Sequence, residues 1–316
     1  VDRPFRPRAR PPRGLVLPVP VDPAGVSGPT PGQARGPGWR RTTPRLYVPA
    51  DTPTEPEQRI LEQAQRLPPE GAVGGWASLR LHGVAYVAAP DLPVPLLVPP
   101  PRRLRELPGG VVRREELSSR EVVRRHGVPC VEPVRAAVDE AARAADLRAA
   151  IVQLDMVLAA GVTTHSALAS YAARSRGRGA WQVRTALLLV DGRSLSPAES
   201  WLRTVWVLDA QLPRPLCNWP VLDAAGRYVG KADLLCPALA TRGEYDGAEH
   251  RRADRRGIDL DRDDRFAAVG LEGFTVVGRD RHDVGKVVAR MHAAVERARV
   301  SGRPRTWRLA VDPGPP

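Results

Sequence analysis

Lysine is almost missing from this chain: of 48 basic residues only Lys231 and Lys286 are lysines, and the rest are arginine. Cysteine is nearly as scarce. Cys130, Cys217 and Cys236 lie far apart with no CxxC pair, which excludes a disulfide framework and a cysteine zinc site and fits a reducing cytosol. Long apolar runs are missing too. Stretches such as Ala186 to Val190 and Pro93 to Pro100 are far too short to span a bilayer, so no membrane association is expected. The first residues are rich in Arg and Pro and lack an uninterrupted apolar segment, which predicts no secretory leader. Together these absences predict a soluble, cytoplasmic protein.

What is present is positive charge, a formal +13, which points to an acidic partner and first of all to nucleic acid. Two features temper that reading. Richness in Arg, Ala, Gly and Pro is what a GC-rich genome produces, and the charge is uneven. Residues 1–50 hold nine arginines and two aspartates, which is +7 of the total. Residues 1–38 place Pro or Gly at nearly every second or third position without a hydrophobic period, which predicts disorder.

Residues 39–191 read as a mixed, mostly helical domain with a few short strands. RLYV near Val48 and the stretches Pro93 to Pro99 and Gly110 to Arg113 read as strands; helices are expected after Thr54, over Gly75 to His82, and repeatedly from Pro133 to Arg174. Gly192 marks a boundary. Ser196-Pro197-Ala198-Glu199 opens a helix with an apolar stripe at Leu202, Val205, Trp206 and Leu208. Strands follow at Leu216 to Leu222, Tyr228 to Leu235 and Arg242 to Tyr245. A charged helix from about Asp259, a strand at Phe274 and a helix over Val284 to Ala298 complete the order α-β-β-β-α-β-α. This predicts an α/β or α+β layered domain over residues 192–300, followed by a disordered tail at 301–316.

Three carboxylates in this second domain carry chemical interest. Asp233 interrupts an apolar strand, where an unpaired carboxylate costs several kcal/mol, on the order of the penalty for a buried polar group. Glu244 and Asp246 lie two apart, so a strand turns both to one face. Paired strands would converge all three at one sheet edge, a suitable nest for Mg²⁺ or Mn²⁺. His250, after Gly247, is placed to move a proton. The competing reading is plain: Asp246-Gly247 is a common turn pair, Glu244 suits an edge strand, and Glu199 is explained by capping alone.

The runs GRYVGKADLLCP, GEYDGAEH and DLDRDDRFAAVGLEGFTVV resemble the very-short-patch-repair-like endonucleases of the PD-(D/E)XK superfamily. The likeness covers about Ser196 to Ala298. It implies a restriction-endonuclease-like three-layer fold, with Glu199 as the helix acid, Asp233, Glu244 and Asp246 as metal ligands, and His250 as the following histidine. Arg251, Arg252, Arg262 and Arg265 would then contact DNA phosphates. No lysine follows Glu244 at the position where the wider superfamily carries one; Asp246 stands there instead. The preceding half resembles the later part of AbiEi-type antitoxin regulators, as combined in actinobacterial proteins, without a winged helix. The resemblance thus implies a Mg²⁺-dependent DNA endonuclease of nicking or repair type. Its alternative is a non-catalytic, antitoxin-like DNA-binding regulator with a protein partner such as a toxin.

Overall fold

The computed structural model describes residues 14–87, 91–247 and 262–311. The described residues divide into two compact units: one comprises residues up to 145 together with 160–187, the other residues 146–159 and those from 188 on.

The first unit holds more sheet than its sequence suggests. β1 (Val19–Pro20), β2 (Trp39–Thr43) and β3 (Leu46–Pro49) form a three-stranded sheet in the order β1-β3-β2. α1 (Pro56–Ala64), β4 (Ala72–Val73) and α2 (Gly75–Leu81) follow, then β5 (Val94–Val98), β6 (Gly110–Arg114), β7 (Val122–Arg125) and β8 (Val128–Val131). The last four strands and β4 make a five-stranded sheet, β6-β5-β4-β8-β7. α3 (Pro133–Arg143), α5 (His165–Arg174) and α6 (Ala180–Leu189) supply the helices; α4 (Leu147–Ala159) lies between them in sequence but belongs to the other unit. Helical residues still outnumber strand residues, as expected, but the short strands are more numerous than those read from the sequence. The unit's strands are two to five residues long, and β5, read from the sequence at Pro93 to Pro99, is buried at every position.

The expected disorder over residues 1–38 is also corrected for its described part. Val19–Pro20 pairs with β3, and Gln58 of α1 bonds both the N–H and the carbonyl of Val16, at 2.9 and 2.8 Å. Asp22 gathers the amides of Ala24, Val26 and Ser27, which hold its carboxyl down at about 2. Local side-chain bonding, which Pro and Gly do not prevent, orders this stretch.

In the second unit the expected element order is met. α7 (Pro197–Thr204) begins at Ser196, whose Oγ accepts the Glu199 amide at 3.3 Å, and continues into one π-turn over Val205–Asp209. β9 (Leu216–Asp223), β10 (Tyr228–Cys236) and β11 (Thr241–Asp246) form an antiparallel meander. Helical residues 262–268 (α8) precede β12 (Glu272–Val277), which lies parallel to β11; α9 (Val284–Val300) and β13 (Trp307–Leu309) end the described chain. β13 pairs with the outer edge of β9, giving the order β12-β11-β10-β9-β13 and correcting the expectation of a disordered tail from residue 301.

Two cores line opposite faces of this sheet. On one, Trp201, Leu202 and Trp206 of the α7 region and Val287, Met291 and Ala294 of α9 pack on Cys217, Leu234, Cys236, Phe274 and Val276. On the other, Phe266, Val269 and Leu271 cover Val221, Val229, Ala232 and Leu235. The unit is thus a helix/sheet/helix sandwich of mixed α/β class. The boundary expected near residue 192 is displaced, because α4 joins this unit. Buried Asp155 of α4 binds the Arg203 guanidinium at 2.5 Å and caps the amides of Asp191 and Gly192, at 2.7 and 3.1 Å.

Candidate functional site

Residues two apart on a strand share a face. In β9, however, Cys217 enters one core and Trp219 the other; in β10, Ala232 and Leu234 likewise divide. The breaks fall on Asn218 and Asp233. The pairs Ala232↔Trp219 and Leu234↔Cys217 bracket both residues, so they stand opposite one another. Asn218 has a φ of +50°, a left-handed conformation that Asn tolerates better than most side chains, and this reverses the alternation. On the other flank of Asp233 the β10–β11 ladder stops at Leu234↔Gly243, while β11 continues beside β12 to Asp246↔Val277. Asp233 therefore occupies a fork in the sheet.

Its Oδ2 accepts the Tyr245 amide of β11 at 2.8 Å, in place of the ladder bond. Oδ1 has no hydrogen-bond partner among the described residues. Burial pushes the Asp233 carboxyl up to about 7; the nearby charge of Glu199 adds to the rise, and the Tyr245 amide, Arg262 and Lys231 oppose it. Among the described residues, Arg262 and Lys231 bring it positive charge, which falls short of offsetting the rise. Glu199 is well held: Oε2 accepts Leu195 N at 2.8 Å and Asn218 Nδ2 at 2.7 Å, and Oε1 accepts the Ser196 hydroxyl at 2.9 Å. Its capping and its approach to the fork coexist.

Glu244 has a different environment. Arg242, at 2.7 Å, and Arg262 both pair with it. Arg242 in turn binds Asp263 at 2.6 Å and lies over the Phe266 ring at 4.4 Å. Asp246 is exposed at the end of β11, and its side chain makes no hydrogen bond among the described residues. The expected convergence of three carboxylates is corrected accordingly: among the described residues, no group of three His, Cys, Asp or Glu side chains is gathered to hold an ion. Two guanidiniums have claimed the Glu244 carboxylate.

Compared with protein-family models, curated proteins and solved structures, the chain matches none.

Of the basic residues singled out in the sequence, Arg262 belongs to the fork through Glu244. Arg265 does not. It lines a separate hollow of about 580 Å³ beside Asp223, Arg227 and Tyr228, around the β9–β10 turn. His250, Arg251 and Arg252 lie outside the described residues. Sequence reasoning missed Asn218, Arg242, Tyr245 and Lys231. An Asn inside a run of strand-forming residues was a readable signal for a left-handed break; the role of the Tyr245 amide, a backbone group, had no signal at all. Lys231 is exposed, and its charge reaches Asp233. The only other lysine, Lys286, is engaged by Asp280 at 2.9 Å.

Proposed function

We propose that this chain is a metal-dependent DNA endonuclease of nicking or repair type, with Asp233 at the centre of its site. One observation carries the reading: a half-buried carboxylate at a fork in the sheet, with one oxygen fixed by an amide, the other without a partner among the described residues, and the charge of Glu199 beside it. A divalent cation is what such a group lacks. The α-β-β-β-α-β order and the two helical layers support a restriction-endonuclease-like arrangement.

The residues present fit Mg²⁺, which is commonly bound through one or two carboxylates with waters and substrate phosphate filling the remaining positions. Asp233 would hold it, joined by Glu244 or Asp246 from the adjoining strand. The ion, when bound, supplies Lewis acidity and charge neutralisation at the scissile phosphate. The chain's own residues do the rest. The Tyr245 amide orients Asp233, and Asn218 fixes Glu199 beside it. Arg242 and Arg262 exchange Glu244 for DNA phosphate, releasing the carboxylate as substrate arrives. Lys231, the one lysine near the fork, steadies negative charge, and His250 remains the candidate for proton transfer.

Incubation of supercoiled plasmid with Mg²⁺ or Mn²⁺ tests this. Nicking is expected in the intact protein, lost with EDTA, and reduced at least a hundredfold, about 2.7 kcal/mol, in Asp233→Asn. Metal-dependent nicking that survives this substitution removes Asp233 from the chemistry. A second reading, a non-catalytic DNA-binding regulator on a nuclease-like scaffold, is favoured by the double arginine pairing of Glu244. It predicts salt-sensitive plasmid retention with no cleavage and no response to EDTA.

A further inference from the structure

The first unit contains a cleft of about 940 Å³ between α3, the start of α6 and the loop that joins α5 to α6. Four arginines line it, Arg135, Arg143, Arg176 and Arg178, against one carboxylate, Asp139. The first two are already matched. Arg135 pairs with Glu121 at 2.8 Å, Glu115 at 3.1 Å and Asp139 at 3.4 Å, and Arg143 pairs with Glu115 at 2.5 Å. Arg176 and Arg178 are exposed and make no ion pair or hydrogen bond among the described residues. Surplus positive charge therefore sits on one lip of the cleft.

That lip is held in place. Gly179, at a φ of +82°, lies so close to α3 that a Cβ would stand 2.1 Å from the Ala142 carbonyl oxygen. Gln182 of α6 bonds the Ala141 and Ala144 carbonyls at 2.8 and 3.0 Å. Beside the two arginines Trp181 also lines the cleft, with 69% of its surface exposed. An indole left this open has no packing purpose in the unit.

We infer that this cleft binds single-stranded nucleic acid, with Arg176 and Arg178 on successive phosphates and an unpaired base stacked on Trp181. Guanidiniums alone would suit any polyanion. The adjacent aromatic face selects a ligand that carries flat rings between its charges, and a duplex keeps those faces stacked away. The site lies wholly within the first unit and does not depend on the nuclease reading.

The test is fluorescence anisotropy of a labelled oligothymidylate titrated with the intact protein in EDTA, so that no metal-dependent cleavage intervenes. Trp181→Ala is expected to weaken binding about tenfold, from the usual worth of a base–aromatic stack, while Trp181→Phe retains most of it. The double substitution Arg176→Glu/Arg178→Glu is expected to weaken binding further. It should also lower the slope of log K against log salt by about 1.4, since each phosphate contact on a single strand contributes about 0.7. Binding that is unchanged in both variants overturns the inference. So does a duplex or an oligoglutamate peptide that binds as tightly as the single strand. Plasmid nicking reports on Asp233 separately, so either idea can fail alone.

Discussion

Asp155 is fully buried and Asp233 half-buried in the same unit, and their carboxylates are treated in opposite ways. Asp155 receives four donors: the amides of Asp191 and Gly192, the Ser200 hydroxyl and the Arg203 guanidinium. Among the described residues, Asp233 receives one amide and faces the charge of Glu199. A buried charge with complete compensation is a fastening, whereas one left under-compensated invites an ion or a proton. The contrast teaches that donor count, alongside burial, separates structural acids from candidate functional ones.

The largest effect expected from this contrast is on the fastening. Asp155→Ala leaves Arg203, only 1% exposed, without its counterion and should cost about 3–5 kcal/mol in denaturant unfolding. A loss under about 1 kcal/mol would mean that water or another acid replaces it, and the contrast would fail. Asp233→Asn should do the reverse. With a folded value of about 7 against an ordinary 3.8, the folded chain keeps a proton between those pH values that the unfolded chain has released. Stability therefore falls as pH rises through that window and levels off above it. Asp233→Asn should flatten this decline, raise stability at pH 8 by on the order of a few kcal/mol, and abolish any rise in Tm produced by Mg²⁺. A profile that climbs with pH in the intact protein, once other groups are matched in the variant, would contradict the assignment. The smallest effect is at the fork itself. Asn218→Ala loses the bond to Glu199 and must adopt a left-handed backbone, at a cost of about 1–2 kcal/mol, while Asn218→Gly should lose less because only the bond goes. Equal losses would show that the backbone reversal carries no strain.

The sequence made the second unit readable because its elements announce themselves. Ser196 and Pro197 open α7, the Asp223-to-Gly226 turn separates β9 from β10, and the apolar runs have strand length. In the first unit β3, β5 and β6 were legible as strands, but their assembly was not, because β4 has two residues and pairs with strands far along the chain. α6, which the sequence reading also missed, opens after glycines and an arginine-rich loop with no capping side chain to mark it. At the candidate site, Asp233, Glu199 and Glu244 were identifiable as residues, but their partnerships were not. Whether a carboxylate meets an amide, a second acid or two arginines depends on register and on one reversed backbone, and spacing along the chain does not encode that. Arg242 in particular reads as an ordinary strand residue until its stacking on Phe266 and its grip on Glu244 are seen.

The assignment of α4 has a consequence for how this protein can be divided. Residues 146–159 cross over to the second unit, and the chain then returns to the first before coming back at residue 188. A single cut at the sequence boundary near Gly192 would therefore yield a carboxy-terminal fragment in which Arg203 is orphaned, and an amino-terminal fragment in which α4 has lost the α7 it packs against. Any division of the chain must respect three crossings, at residues 146, 160 and 188, so neither half can be cut away whole by a single break.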